Sequence, residues 1–326
     1  MSLTRRHLLA GSAAIGAASV SGLAPPNSAH AAAPMAGKQA PGFYRHKIGD
    51  YEVTILNEGT LNFPLQGIRN AGPEEVNAAL ESNGFPKGQL VVPYNATLVN
   101  TGQKLVLIDT GNGAGRAPTL GMLGANLVAA GIDPTTIDTV VISHFHGDHI
   151  GGLLTTDNKP SFATAEIMVP AKEWAFWMDE GNMSKAAGTP SENNFKNIRR
   201  VFGALGNKVT QYEAGKDVAP GIASIETPGH TPGHTSFLIT SGTGKLLVQA
   251  DITAAAALLI VHRPDWQIGG DSDPAQAIAT RRKIYDMVAT DRIPVVGFHF
   301  PFPAVGYIEK AGNGYRYIPA PWNPVV

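Results

Sequence analysis

Short apolar runs separated by glycine- and proline-bearing turns recur along the whole chain, a pattern that predicts many buried strands. Tyr51-Glu52-Val53-Thr54-Ile55-Leu56 alternates in the manner of a half-buried strand. Leu90-Val91-Val92 and Ala96-Thr97-Leu98-Val99 read as a strand pair, and Lys104-Leu105-Val106-Leu107-Ile108 as the next strand, running into the turn Asp109-Thr110-Gly111. Between them, residues 67–85 read as a loop with a short helix opened by Pro73-Glu74-Glu75. Residues 120–130 are small and apolar and stop at Gly131 and Pro134, which predicts a helix feeding the strand Ile137-Asp138-Thr139-Val140-Val141. That is a β-α-β step.

Two further helices are expected at 172–179, which carries Trp174 and Trp177, and at 191–205, with Ser191 as N-cap and Gly206 closing it. The second half repeats the scheme of strands followed by a helix: 209–212, 222–225, 235–240 and 245–248 as strands, then a long amphipathic helix from Asp273-Pro274 to about Ala289. Residues 294–298 read as a last buried strand. With 326 residues, 43% of them hydrophobic, and with 37 Gly and 24 Pro spread between the apolar runs, the chain suits one large ordered domain from residue 32 onward.

The amino terminus departs from this pattern. Thr4-Arg5-Arg6-His7-Leu8-Leu9, a small and apolar run to about Val20, and Ala29-His30-Ala31 as a small-x-small cleavage site read as an export signal over residues 1–31. The paired arginines suggest the twin-arginine route to a periplasmic or secreted location. The apolar run is too short and too rich in Gly, Ala and Ser for a membrane span, and no later segment offers one. Cleavage would leave 23 basic against 26 acidic residues, a formal charge of −3 that argues against a nucleic-acid partner. There is no cysteine, so thiolate chemistry and disulfides are excluded.

The chemistry concentrates in Ile142-Ser143-His144-Phe145-His146-Gly147-Asp148-His149, three imidazoles and a carboxylate directly after a predicted strand. Clustered His and Asp are ligand types that zinc and similar ions select. His144 and His146 can point the same way as an i, i+2 pair, with Asp148 and His149 on the next turn of chain, so one loop could serve two neighbouring ions. A structural zinc needs a closed set of four protein ligands, whereas a catalytic site keeps room for water. Further candidates lie downstream at strand ends: His230 and His234 in Thr227-Pro228-Gly229-His230-Thr231-Pro232-Gly233-His234, Asp251 after Leu246-Leu247-Val248-Gln249-Ala250, and His299 in Gly297-Phe298-His299-Phe300-Pro301. A carboxylate set between apolar runs, as Asp251 is, is costly unless paired or metal-bound.

His-x-His-x-Asp-His after a strand, Asp109-Thr110-Gly111 before it, Thr-Pro-Gly-His after it, a strand-terminal Asp and a late strand-terminal His together resemble the metallo-β-lactamase superfamily. The likeness runs in motif order from about residue 50 to 302. Residues 114–152 and 250–308 are most similar to its methyl parathion hydrolase branch, which includes lactonase and esterase-like members. The resemblance implies an α/β fold, an αββα sandwich of two mixed sheets with outer helices, and a two-metal site at one edge. Carried over by motif, His144, His146 and His230 would hold one ion, Asp148, His149 and His299 the other, and Asp251 would bridge them. Asp109 takes the position of a carboxylate that orients a ligand His, and His234 that of a supporting residue.

The implied cofactors are two divalent ions, zinc first, with Mn, Fe or Co also suited to the donor set. Two adjacent cations would hold a bridging hydroxide as nucleophile, with Asp148 orienting it or passing a proton to the leaving group. Phe145, Trp174, Trp177, Phe195 and Phe300 are the expected pocket walls, implying a small, uncharged or partly apolar substrate: a lactone, carboxylic ester or organophosphate triester. A homodimer is compatible with the sequence. The rivals are a β-lactamase, disfavoured because true β-lactamases of this fold generally lack a carboxylate at the place of Asp251, a nuclease, a one-iron oxygen-using enzyme, and a metal-bound binding protein without catalysis.

Overall fold

Two seven-stranded sheets carry the fold, as seen in a computed structural model that describes residues 35–326. The predicted export segment, residues 1–31, lies outside the described residues. The first sheet runs in chain order: β1 (Phe43–Ile48), β2 (Tyr51–Phe63), β3 (Leu90–Asn100), β4 (Leu105–Ile108), β5 (Thr139–Val141), β6 (Glu166–Pro170) and β7 (Val209–Tyr212). It is antiparallel as far as β4 and parallel from there to β7. The second comprises β8 (Asp217–Ala219), β9 (Ile222–Glu226), β10 (Thr235–Ser241), β11 (Gly244–Val248), β12 (Val295–Val296), β13 (Val305–Ala311) and β14 (Gly314–Pro319), with only the β11/β12 pair parallel.

The period of two along each strand decides which layer a side chain joins. Val53, Ile55, Val106, Ile108 and Val141 of the first sheet share one core with Phe237, Ile239, Leu246, Val248 and Val295 of the second, so the sheets pack face to face. The alternate residues Leu56, Leu107, Val140, Ile167 and Val169 point the other way, into a second core. That core is closed by α2 (Leu123–Ala129), α4 (Ala171–Trp177) and α6 (Ser191–Leu205), while α7 (Ala257–His262) and α8 (Pro274–Asp291) pack on the second sheet. A third core, with Val76 and Leu80 of α1 (Pro73–Ser82), lies under Leu259 and Trp266. Two short helices complete the set: α3 (Gly147–Ile150) and α5 (Glu180–Ala186). The expected αββα sandwich of mixed sheets is what is found.

Several boundaries differ from the sequence expectation. Residues 90–92 and 96–99 belong to the one strand β3, because Pro93 and Tyr94 stay in register with Thr60 and Gly59 across a bulge in β2. The helix expected over 120–130 starts only at Leu123, since Gly121 at φ 86° precedes it. Ser191 is not an N-cap: Pro190 holds that position with helical backbone angles, leaving no side-chain cap. The strand expected over 294–298 as the last one is only two residues long, its chain turns away at Gly297 to present His299, and two further strands, β13 and β14, follow it. Among the described residues no helix is long and apolar enough to cross a membrane.

Helix α8 has the predicted cap, with the Asp273 carboxylate accepting the Gln276 N–H at 3.0 Å. The Asp273 N–H in turn donates to the Gly229 carbonyl at 2.9 Å, tying the helix to the turn that carries His230. Asp273→Ala should therefore cost about 1 kcal/mol of stability, seen as a lower urea midpoint at unchanged m. An unmoved midpoint would mean that the cap contributes nothing.

Candidate metal centre

Parallel pairing places the strand ends side by side, and the clustered His and Asp residues all emerge there. β4 leads into Asp109 and its parallel neighbour β5 leads to Ser143, so the Asp109 carboxylate accepts both the Ser143 N–H and its hydroxyl at 2.8 Å. The turn that follows is held by Thr110, whose N–H and hydroxyl both donate to the His149 carbonyl at 2.9 and 2.8 Å. Gly151 and Gly152 permit this approach, since a Cβ on either would stand 2.1 Å from the Asn112 or Thr110 carbonyl oxygen. From the opposite sheet, the β9–β10 turn brings His230, the end of β11 brings Asp251, and the end of β12 brings His299.

Two clusters result. His144, His146 and His230 converge in one, and Asp148, His149, Asp251 and His299 in the other, the ligand atoms of each within 4.8 Å of one another. In the first, His146 Nδ1 lies 3.1 Å from His144 Nε2 and 2.9 Å from His230 Nε2. In the second, Asp148 Oδ2 lies 3.7 Å from His149 Nε2 and 3.5 Å from His299 Nε2. Asp251 stands between them. Its Oδ1 faces His149 at 3.2 Å, while its Oδ2 faces His299 at 3.1 Å and His230, from the other cluster, at 3.4 Å.

Metal ions fit this donor set. His149 Nε2 and Asp251 Oδ1 are buried and make no hydrogen bond, a situation that costs about 1–3 kcal/mol per group unless something else satisfies it. Burial, and after it the neighbouring His230, pushes His146 down to about 3, and burial likewise holds His144 well below the usual imidazole value. Both rings are thereby neutral, with lone pairs to give. His149 goes the other way: burial opposes its charging, yet Asp251, Asp109 and Asp148 together outweigh that and hold it well above the usual value. Asp251 is held well below the usual carboxylate range by His299 and His149 against the opposing effect of its own burial. A cluster of ionised carboxylates and facing imidazole nitrogens is one that divalent cations neutralise.

The far nitrogen of nearly every converging ring is fixed. His149 Nδ1 meets Asp109 at 2.8 Å, His144 Nδ1 meets the Ser143 hydroxyl at 3.0 Å, and His299 Nδ1 meets the Pro93 carbonyl at 3.0 Å. His234 is not among the converging residues. Its Nδ1 engages Thr227, and its Nε2 accepts the Asp251 backbone N–H at 3.0 Å, so the ring supports the chain at Asp251. Two supporting carboxylates had no sequence signal of their own. Asp271 accepts from His230 Nδ1 at 2.8 Å, with the buried Arg281 at 3.7 Å behind it. Glu173 is fully buried and accepts the N–H groups of Phe145, Gly233 and the Trp177 indole at 3.0, 2.7 and 2.8 Å. It thereby joins the loop of His144 and His146 to the turn of His230 and His234. A glutamate between Lys172 and Trp174 looks like an ordinary helix-surface residue in the sequence.

Among the described residues, the aromatic side chains expected as pocket walls do not line the cavity at the cluster. Phe145, Phe195 and Phe300 are core residues, Trp177 is buried with its indole on Glu173, and Trp174 packs against Phe202. A cavity of about 900 Å³ opens beside His146, Gly147 and Asp148, and its walls are Asn112, Arg116, Thr155, Asn194, Asn197 and Arg200 with their neighbours. The aromatic rings fill space behind the metal-ligand loops because those loops sit directly on the second hydrophobic core.

The family model of the Metallo-beta-lactamase superfamily matches residues 90–296. The N-acyl homoserine lactonase of Bacillus thuringiensis is 24% identical over 243 residues, 68% of this chain and 85% of that protein. The lactonase AttM of Agrobacterium fabrum is 32% identical over 147 residues, 44% of this chain and 49% of its own. Among solved structures, AidC, a dizinc quorum-quenching lactonase in complex with a homoserine product, superposes with a TM-score of 0.80 at 28% identity, covering 86% of this chain and 98% of AidC. The hydrolase AbOPH of the β-lactamase superfamily matches equally, with a TM-score of 0.80, 28% identity and 88% and 100% coverage.

Asp271→Asn keeps an acceptor for His230 but removes the charge that polarises the ring. It should weaken metal affinity about 10–100-fold, measured by competition with a chelator of known affinity, with the melting temperature of the metal-free protein little changed. Unaltered affinity would show that Asp271 does not act through His230.

Proposed function

The chain belongs to the metallo-β-lactamase superfamily, and on that premise we propose that it opens lactone rings with water activated between two divalent metal ions. The observation that carries this reading is Asp251, whose two oxygens face His149 on one side and His299 and His230 on the other. A carboxylate so placed can bind both ions and set their separation. On this reading His144, His146 and His230 hold one ion, Asp148, His149 and His299 the other. The relatives named as N-acyl homoserine lactonases, and the dizinc lactonase among the solved structures, support lactones over other esters and zinc over other ions.

Divalent ions held by these residues would supply Lewis acidity, lowering the pKa of bound water toward about 7 and polarising the carbonyl under attack. The chain supplies the geometry around them. Asp148 lines the cavity and lies 3.5 Å from His299 Nε2 through Oδ2, which leaves Oδ1 to orient the attacking water and carry its proton to the alkoxide released from the ring. The buried rings of His144 and His149, fixed from behind by Ser143 and Asp109, keep their Nε2 atoms aimed at the reacting centre.

Elemental analysis of the purified protein should find about two metal ions per chain, and a hydrolysis panel should rank γ-lactones and acyl-homoserine lactones above aryl esters, phosphotriesters and a β-lactam. Asp251→Asn should lose an ion or lengthen the metal separation and cut turnover at least about a hundredfold, beyond the 10–100-fold that changes behind the ligands cost. His234→Ala, which removes a support, should keep both ions with reduced activity. Full activity with one ion and no second site on titration would sink the dinuclear reading, and a panel led by the β-lactam or a phosphotriester would sink the lactone.

A further inference from the structure

The cavity beside the metal centre holds two arginines and few apolar side chains. Apart from glycines, its hydrophobic contributions are Ala114 and Leu154, and its one acid is Asp148. We propose that this cavity recognises a substrate whose arm next to the scissile bond carries a negative charge, a carboxylate or comparable anion, with Arg116 as the principal contact and Arg200 as the second. The inference rests on the lactone reading above and gives that substrate its class: a lactone with an anionic arm.

Neither guanidinium has a carboxylate partner among the described residues. Arg116 Nη1 donates to the Asn112 amide oxygen at 2.7 Å, and Arg200 donates to the amide oxygens of Asn197, at 2.9 Å, and Asn158. Among the other described arginines, Arg45, Arg199, Arg281, Arg282 and Arg316 each pair with an acid, whereas Arg69, Arg263 and Arg292 do not; Arg116 and Arg200 are the two that line this cavity. An amide oxygen orients a guanidinium while leaving its charge intact and most of its five N–H groups free. Asparagine partners therefore hold these cations ready for an anion, where aspartates would have neutralised them.

Position adds to charge. Gly147 lies between His146 of one cluster and Asp148 of the other. A Cβ on it would stand 3.5 Å from both Arg116 Nη1 and Asn197 Nδ2, so these donors reach the cavity floor from two different elements, the loop after β4 and helix α6. A substrate with its ring at the metals would lay its arm across Gly147 against Arg116. An alkyl arm would instead strip water from guanidinium and amide groups without replacing their hydrogen bonds.

The test uses the metal-loaded protein and two γ-lactones of identical ring and arm length, one ending in a carboxylate and the other in a carboxamide of the same shape. Affinity is read by calorimetry at low salt, and kcat and KM by ring opening. The carboxylate compound should bind about tenfold more tightly, or about 1.4 kcal/mol, with the advantage in KM and shrinking as salt is raised. Arg116→Gln, and more so Arg116→Gln with Arg200→Gln, should bring the ratio toward one. Lys310→Gln, which removes a distant surface cation of β13, should leave the ratio as it was. Equal or tighter binding of the carboxamide overturns the proposal, as does failure of the carboxylate compound to bind. A carboxylate advantage that survives in the double variant also overturns it, because the anion would then be held by the metals alone. Tighter binding of the carboxylate without ring opening would count against lactone hydrolysis and leave the anion preference standing, while opening of both rings without preference would do the reverse.

Discussion

Charge that has no place to go within the chain is the constraint on which this structure depends. Asp148 and Asp251 are surrounded by His149, His299 and His230, and the facing nitrogens and oxygens, at 3.1 to 3.7 Å, cannot all be satisfied by exchanging protons among themselves. A metal-dependent hydrolase of this family resolves the conflict with cations, and the chain is shaped so that strand ends from both sheets reach the same point. The sandwich is thus more than a scaffold. Its parallel segment, β4 to β7, aligns Asp109 and Ser143, and the parallel β11/β12 pair aligns Asp251 with the approach to His299.

Seven metal-facing residues on four loops drawn from both sheets would be mobile without cross-links, and the structure provides these as hydrogen bonds, most of them between backbone and side chain. The Asn95 amide donates to the Phe298 and Phe300 carbonyls at 2.9 and 2.8 Å, clamping the residue on either side of His299 to β3. The Thr235 N–H donates to the Ser143 carbonyl at 3.1 Å, and the Tyr212 hydroxyl to the Ile142 carbonyl at 2.9 Å, so the first metal loop is bound to both sheets. Glu173 joins two loops through three N–H groups at once. In a low-dielectric setting each such bond is strong and each loss is costly, which keeps the imidazoles aimed before any ion arrives.

The sequence made the converging residues legible because their chemistry is improbable otherwise: three His and an Asp in six positions, or an Asp and a His each closing an apolar run, have few uses in a core. The layers were legible for a similar reason, since the unbroken apolar run of β4 can be satisfied only with an apolar layer on each face. What escaped notice were residues of ordinary appearance. Asp271 and Glu173 acquire meaning only through partners 41 and 60 positions away in the chain. The pocket failed for the opposite reason: Trp174, Trp177 and Phe195 were conspicuous, and bulky aromatics near a site are as easily the core beneath it as the wall around it. Asn193, Asn194 and Asn197 carry no signal of their own in the sequence, and only the fold shows that the cavity borders them.

The parts that aim the metal ligands and the parts that line the cavity are largely separate. Asp109, Glu173, Asn95 and Asp271 lie behind the ligands, whereas the cavity wall comes from the loop after β4, the residues around Thr155, and the exposed face of α6. The two meet at Asn112, which is buried, holds Arg116 through its amide oxygen, and donates from its amide nitrogen to Glu58 at 3.4 Å. Glu58 also accepts the Gly121 N–H at 2.6 Å, and its burial raises its pKa against the effect of these donors. The loop bearing Arg116 is thereby anchored at both ends to a carboxylate of β2 that touches no ligand. A wall anchored apart from the metal-facing residues can change its side chains while the hydrolytic centre stays intact, and position 116, whose guanidinium reaches Gly147, is where such a change would alter the charge of the cavity.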